Sequence, residues 1–498
     1  MDTSNVVPAG SSLTFDLSPL VPQEYAEFRP LVADSVLFFL ERLPAPRLTQ
    51  ILAAQAMLPA DAGAEERLAD LIFHCPTLHK LGQVVARDRR LGAGMRQRLQ
   101  VLESMEPVTP VAAVTQRIRS EIGPDCLGAL RIDARALAEA SVALVIPFTT
   151  DETGGYGPVN GVLKVLKPGI EERLEEELEI WSELAELIDE RCEHDDLPPL
   201  RCKEIFDTVR QLLSNEVRLD LEQAHLAAAK EFFGDSVKIQ IPAVLPCSTP
   251  RVTAMERVFG TKVTDAAHLS ARARKNLAGT VLRELVAKPI WSIHPRAIFH
   301  ADPHAGNLFY TDDDRLAVLD WSLVGYLSKS EREQTAQIVL AAMNLNASRI
   351  RRSIGAMSVA EPDEPALQEV VEKAVGQLYR TDLPGLRWLM NLLGDAMFKA
   401  GVQFSADLVL FRKSILTLEG VAADVSTGIS LGNVLSLSAG AELLREWAGR
   451  CVASPFSRDH GTHISNLDLL SLYFVAPLAA RRFFTDRLFL PSRGRQKY

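Results

Sequence analysis

Cysteine is scarce and scattered. The six cysteines in 498 residues (Cys75, Cys126, Cys192, Cys202, Cys247, Cys451) form no Cys-x-x-Cys pair. That argues against a zinc ribbon and a disulfide scaffold, and it suits a reducing compartment. Long apolar runs are absent: no stretch of eighteen or more apolar residues occurs, so no membrane-spanning helix is expected. The start, Met1-Asp2-Thr3-Ser4-Asn5, lacks the basic region and apolar core of a secretory signal, so none is expected. Basic excess is missing too. A net charge of −10 argues against nucleic acid as a partner held by a broad basic surface. Internal repeats and low-complexity tracts are not found.

What is present is an ordinary globular balance, 47% hydrophobic and 24% charged, enough for a sizeable core in one large or two to three smaller domains. The most informative stretch runs Phe299-His300-Ala301-Asp302-Pro303-His304-Ala305-Gly306-Asn307-Leu308-Phe309, followed by Leu316-Ala317-Val318-Leu319-Asp320-Trp321-Ser322. It predicts a loop, an apolar strand, a turn and a second apolar strand closed by Asp320. Asn307 stands five positions after Asp302. That spacing, with an aspartate ending the next strand, is the pattern of a phosphoryl-transfer loop. Asp302 can orient or deprotonate an attacking hydroxyl or water, and Asn307 and Asp320 offer hard oxygens to Mg²⁺ on nucleotide phosphates. His300 and His304 lie four apart, but Pro303 opposes the helix that a metal pair would need, so they read as loop braces.

Upstream, helical spacing covers residues 22–60, interrupted at Leu43-Pro44-Ala45-Pro46, and two or three further helices are expected over 64–105. Lys80 and Gln83, three apart, project from one side of such a helix. Pro107 and Pro110 mark a connector. Apolar β-prone segments at 127–132 and 141–148 flank an alanine-bearing turn, Ala136–Ser141. In the strand Gly161-Val162-Leu163-Lys164-Val165-Leu166, Lys164 is the polar break, and a buried lysine needs an anionic partner. The acidic helix over 170–192 is read with its carboxylates as a solvated face. Residues 201–233 predict a long helix or close pair carrying Glu216 and Glu222, either of which can pair with Lys164. Segment 238–258 is strand-rich and leads into Thr253–Gly260, read as a crossover where an adenine would meet backbone groups. A helix is expected over 265–290, then nearly continuous helix from Gly325 to 450. The tail from Leu469 to Tyr498 mixes phenylalanines with arginines, which suits either an anionic membrane surface or packing on its own domain.

With these residues in hand, the chain resembles the UbiB/AarF family of atypical protein-kinase-like proteins from about Leu78 to Tyr326. The resemblance rests on Lys80-Leu81-Gly82-Gln83, which matches that family's KxGQ signature, on Gly161 to Ile170, on Met255-Glu256, and on the two stretches around Asp302 and Asp320. It implies an α+β, two-lobed protein-kinase-like fold with a helical N-terminal extension and a large helical C-lobe. The expected divisions are an N-terminal helical region at 1–70, the KxGQ extension at 71–125, an N-lobe at 126–258 and a C-lobe with a helical tail at 259–498. The resemblance further implies that Lys164, paired with Glu222, contacts the α/β-phosphates of ATP or ADP, and that Asp302 is the catalytic-loop aspartate. Asn307 and Asp320 would hold Mg²⁺. Ala138, Ala140 and Ser141 of the alanine loop, Met255 and Glu256 of the crossover, and Lys80 and Gln83 of the extension would line the nucleotide site. The family's glutamate-x-aspartate partner of KxGQ is altered, with Glu216 retained and Arg218 in the aspartate's place, so the latch must be built differently, with Asp220 as a substitute acceptor. Glu139 interrupts the alanines and would repel phosphates unless a metal or lysine intervenes.

The expected activity is that of a Mg²⁺-dependent ATPase or phosphotransferase supporting lipid or quinone-type metabolism, with a small-molecule or lipid acceptor. A regulatory nucleotide-binding module without turnover and a small-molecule kinase of the aminoglycoside/choline type are the alternatives. A cytoplasmic location is expected, with peripheral contact at the inner face of a membrane through the tail.

Overall fold

Two prolines divide the first helices. Helix α1 (Arg29–Arg42) ends where Leu43 turns extended, and Pro46 sits in the first turn of α2 (Ala45–Met57), where its missing N–H costs nothing. The Leu43–Pro46 stop is thus also a start. A computed structural model describes residues 5–6, 15–85, 91–101, 107–150, 159–194, 206, 210, 213–378 and 384–474. The chain is α+β and forms two compact units, residues 1–227 with 242–257, and residues 228–241 with 258–498.

In the first unit a short ladder, β1 (Asn5–Val6) with β2 (Phe15–Asp16), precedes the helices. Helices α3 (Ala64–His74), α4 (Pro76–Val85) and α5 (Ala93–Val101) join α1 and α2 around a core that includes Phe15, Leu40, Leu68, Leu71, Met95 and Leu99. Ile180 and Trp181 of α8 (Ile170–His194) enter the same core, fastening the amino-terminal helices to it. The carboxylates of α8 do not all face solvent. Glu177 is 0% exposed and accepts hydrogen bonds from the Thr77 amide (2.9 Å), the Thr77 hydroxyl (2.6 Å) and Arg47. Thr77 starts α4, so a buried carboxylate ties α2 and α4 to α8. The acidic run concealed this exception because leucine spacing marks only the apolar part of a buried face.

Helices α6 (Val111–Glu121) and α7 (Pro124–Ala129) lead into a five-stranded antiparallel sheet. Its order is β3 (Leu130–Ile132), β5 (Ala143–Thr150), β6 (Asn160–Leu166) and β8 (Val252–Glu256), with β4 (Ala138–Glu139) also paired to β5. Strand β6 is hydrogen-bonded on both sides and buried from Gly161 to Leu166, which explains its unbroken apolar run. Position 161 must be glycine, because a Cβ there would lie 2.3 Å from the Phe148 ring. Within the expected 201–233 helical stretch, the described part holds a turn at 213–216 and α9 (Leu219–Phe233).

The second unit opens with β7 (Ile239–Gln240) and β9 (Gly260–Lys262). A helix follows, α10 (Ala271–Leu282), running through a π-helical turn at Arg283–Ala287 into α11 (Lys288–Ile290). Strand β10 (Arg296–His300) pairs with β13 (Val324–Ser328), and between them β11 (Leu308–Thr311) and β12 (Leu316–Val318) complete a four-stranded sheet in the order β7-β12-β11-β9. The remainder is helical: α12 (Lys329–Met343), α13 (Ala347–Met357), α14 (Glu364–Leu378), α15 (Leu386–Ala400), α16 (Ala406–Val425) and α17 (Leu431–Val452). A capping box at Ser328 and Glu331 starts α12. Among the described residues no helix is long and apolar enough to cross a membrane. Beyond residue 474 the basic, aromatic tail lies outside the described residues.

Candidate active site

In the first unit, Lys164 sits mid-strand, opposite Val145 on one side and Thr253 on the other. It is 8% exposed and donates to both carboxylate oxygens of Glu222, at 2.9 and 2.8 Å, while Glu222 itself is 2% exposed. Of the two glutamates expected on this stretch, Glu222 is therefore the partner. A buried lysine is tolerated only with such compensation, so strand and helix α9 hold each other in register through one charge pair.

The alanine turn is a tight hairpin. Ala138 pairs with Val145, and the Ala140 amide donates to the Ala143 carbonyl (2.8 Å), leaving Ser141 and Val142 at the tip. Lys167, just past β6, holds this tip twice. Its amide donates to the Val142 carbonyl (2.9 Å) and its ammonium pairs with Glu139 (2.7 Å). Glu139 also accepts from the Val108 and Thr109 amides and the Thr109 hydroxyl, each at 2.8 Å. Burial alone would raise the Glu139 pKa, but the bonds from Lys167 and Thr109 outweigh it and bring it down to about 2. The repulsion expected from this carboxylate is thus met by a lysine. Burial lowers the Lys167 pKa, with Glu139 opposing.

The other side of the tip meets the extension. The Ser141 hydroxyl lies 3.4 Å from a Glu216 carboxylate oxygen, and Lys80 of α4 forms an ion pair with Glu216. The substitute acceptor expected at Asp220 is engaged elsewhere: Arg218 grips it with two bonds of 2.9 and 2.7 Å. Gln83 lies on α4, and its side chain falls outside the described residues. Met255 faces Val162 at the end of β8, and Glu256 exchanges two 2.9 Å bonds with the Ala243 backbone, just before the chain enters the second unit at Val258.

In the second unit, His300 lies between the backbones of Asp302 and Asp320. Its Nδ1 accepts the Asp302 amide (3.1 Å), and its Nε2 faces the carbonyls of Leu319 (3.1 Å) and Asp320 (2.9 Å). These partners require the neutral Nε2–H tautomer. Burial pushes the His300 pKa down, against the opposing pull of the two carbonyls and of Asp320 and Asp302. His300 thus braces the loop as expected, and joins the backbone at Asp302 to that at Asp320. Asp320 adopts φ 53°, a left-handed conformation that strains a non-glycine residue and that the His300 bond to its carbonyl helps hold. Trp321 is fully buried against His300 and Phe233, and its indole N–H donates to the Val318 carbonyl. His304 caps the single turn Ala305–Asn307 by accepting the Gly306 amide, a loop brace.

The donor set fits a Mg²⁺ ion that also binds phosphate. Asn307 Nδ2 donates to the Asp302 carbonyl (3.2 Å), which orients its amide oxygen away from that bond. The Leu319 amide donates to the Asn307 carbonyl (2.8 Å), which fixes the asparagine beside the strand end that carries Asp320. Among the described residues no three His, Cys, Asp or Glu side chains cluster as a metal site. An amide and a carboxylate oxygen suffice where nucleotide phosphates supply further oxygens.

Sequence reasoning missed four residues. Lys167 was legible in principle, because a carboxylate in the alanine loop demanded a cation nearby. Glu177 with Thr77, and Lys413 of α16, whose ammonium lies 3.4 Å from Asp302, left no signal in their own segments.

Comparison with known proteins places the chain among relatives. The model of the ABC1 atypical kinase-like domain matches residues 102–354. Proteins named "Probable protein kinase UbiB" are 26% identical in Haemophilus ducreyi, over 72% of this chain and 67% of that one, and 26% identical in Xanthomonas euvesicatoria, over 78% and 70%. The Shewanella loihica protein of that name is also 26% identical, over 72% of this chain and 65% of that one. The chain thus spans about two thirds of the length of the curated relatives it matches. A solved structure of Rv3197 with erythromycin from Mycobacterium tuberculosis aligns with TM-score 0.48 at 16% identity, covering 81% of this chain and 94% of that one.

Proposed function

The chain belongs to the ABC1 atypical kinase-like family, the UbiB/AarF group, and from that premise we propose that it is a Mg²⁺-dependent ATPase or phosphotransferase. The acceptor is proposed to be a small molecule or lipid, in support of lipid or quinone-type metabolism. The observation that carries the reading is the Lys164–Glu222 pair, a buried lysine whose ammonium is held at a fixed point of the sheet by a bidentate carboxylate. Nothing in core packing asks for that charge; a phosphate does.

Lys164 fixes the α- and β-phosphates, and Glu222 keeps the lysine extended toward them. The hairpin tip at Ser141 borders the phosphates, with Glu139 neutralised by Lys167. Asn307 and Asp320 would hold Mg²⁺, which supplies charge neutralisation for the triphosphate. Asp302 aligns the acceptor oxygen and receives its proton. Met255 and Glu256 flank the adenine. The Lys80–Glu216 pair sets the hairpin's position from the extension.

The test is ATP hydrolysis by the purified full chain with Mg²⁺, compared with Asp320→Asn. Turnover that falls about a hundredfold in the variant is expected. Nucleotide binding with no Asp320-dependent turnover would mark a nucleotide-binding module instead.

A further inference from the structure

Phosphoryl transfer depends on cations placed where charge builds on the transferring group. The loop from Asp302 to Asn307 contains no lysine or arginine. Its basic residue, His304, has Nδ1 engaged by the Gly306 amide, and its Nε2 stays 4.0 Å from Asp302. A cation does arrive from a distant helix. Lys413 of α16 places its ammonium 3.4 Å from Asp302 Oδ1, with a side chain that is 56% exposed and so free to reorient.

The placement is built, not incidental. The next residue, Ser414, is 1% exposed, and its hydroxyl donates to the His300 carbonyl at 2.9 Å. Phe411, three residues before Ser414, packs edge-on against Phe299 with centroids 4.8 Å apart. Helix α16 is therefore locked to the strand that delivers Asp302, and the lock fixes which residue meets the aspartate.

We propose that Lys413 is a catalytic residue, resting on the reading of Asp302 given above. Its ammonium leaves Asp302 when nucleotide binds and contacts the phosphoryl oxygens during transfer. In that step the acceptor oxygen bonds to the γ-phosphorus as its proton passes to Asp302. The bond from the γ-phosphorus to the β–γ bridging oxygen breaks, and ADP leaves with the electron pair. Lys413 donates no proton and acts through charge alone. An exposed ion pair with no such role would contribute little to anything.

The experiment uses the full chain with MgATP and the variants Lys413→Met, Lys413→Arg and Asp302→Asn. Lys413→Met is expected to lower kcat by about ten- to a hundredfold with KM for ATP changed less than about threefold. Lys413→Arg should restore much of the loss, and Lys413→Met added to Asp302→Asn should lower kcat further, because the ammonium acts on the phosphoryl oxygens and not through Asp302. Affinity for MgADP with aluminium fluoride, compared with MgADP alone, reads the same contact without turnover: Lys413→Met should weaken only the former. Wild-type kcat and fluoride-complex affinity in Lys413→Met, with Asp302→Asn impaired, would overturn this inference alone. Wild-type behaviour of Asp302→Asn would overturn the reading beneath it. A Lys413→Met loss that Lys413→Arg does not restore and that tracks a lower Tm would overturn the charge role.

Discussion

The two units brace their candidate residues by different means. In the first, bracing is ionic: Lys164 with Glu222, Lys167 with Glu139, Lys80 with Glu216 and Arg47 with Glu177. In the second, it runs mainly through backbone atoms and imidazoles, with His300 holding the amide of Asp302 and the carbonyl of Asp320. Ionic bracing in a buried setting fails when either partner is removed, because the other is left uncompensated. Backbone bracing by an imidazole fails when the ring gains a proton, because Nδ1 then stops accepting. One unit should be sensitive to side-chain deletion and the other to mild acid.

The largest effect expected from this contrast is at Glu177. Glu177→Ala strips the acceptor from Thr77 and Arg47 and should lower the unfolding free energy by about 3 kcal/mol or more, read by urea denaturation. A loss below about 1 kcal/mol would remove the case for ionic bracing there. Next, Lys164→Ala and Asp302→Asn should each lower ATP turnover by about a hundredfold or more. Equal losses with separate origins would sharpen the comparison, since Lys164→Ala should also destabilise the fold by leaving Glu222 buried and alone, whereas Asp302→Asn should not. Wild-type rates in either variant would contradict its assignment.

The pH response distinguishes the units further. Burial depresses the pKa of His300 below its ordinary 6.5, so the unfolded chain takes up a proton that the folded chain refuses. Its contribution to stability is full above about pH 6.5 and declines as pH falls toward the folded value. Unfolding free energy measured from pH 7 to 5 should fall more steeply for the natural chain than for His300→Gln. Parallel curves would contradict the neutral brace. The smallest effect is at Glu139, whose pKa of about 2 lies below its ordinary 4.5. Its contribution is complete above about pH 4.5 and is lost as pH falls toward 2. The stability difference between the natural chain and Glu139→Gln should shrink over that window, and a difference independent of pH would contradict the Lys167 pairing.

Much of the second unit's site was legible because its parts are near neighbours in the chain. Asp302, Asn307 and Asp320 lie within twenty residues, and the strand–turn–strand pattern that presents them is periodic and local. The π-helical turn at Arg283–Ala287 was not legible, because its residues fit an ordinary helix. In the first unit Lys164 stood out as a charge in an apolar strand, but two glutamates were equally plausible partners. Only the break before α9 selects Glu222 for Lys164 and leaves Glu216 to Lys80 and Ser141. The Arg218–Asp220 pair shows the converse. A residue in the position of an expected acceptor turned its neighbour into its own partner.

By itself the amino-acid sequence determined the helices, the apolar strands, the strand–turn–strand stretch that carries Asp302, Asn307 and Asp320, and the family they belong to. These are written in spacing and residue type over short stretches, where the hydrophobic period and the turn residues act locally. Tertiary structure decided which charges meet. Thr77 and Glu177 are 100 positions apart, and Asp302 and Lys413 are 111 apart. Nothing local distinguishes Glu177 from the solvated glutamates of α8, or Lys413 from any surface lysine. The difference arises only when packed helices bury one carboxylate and bring one ammonium to the loop.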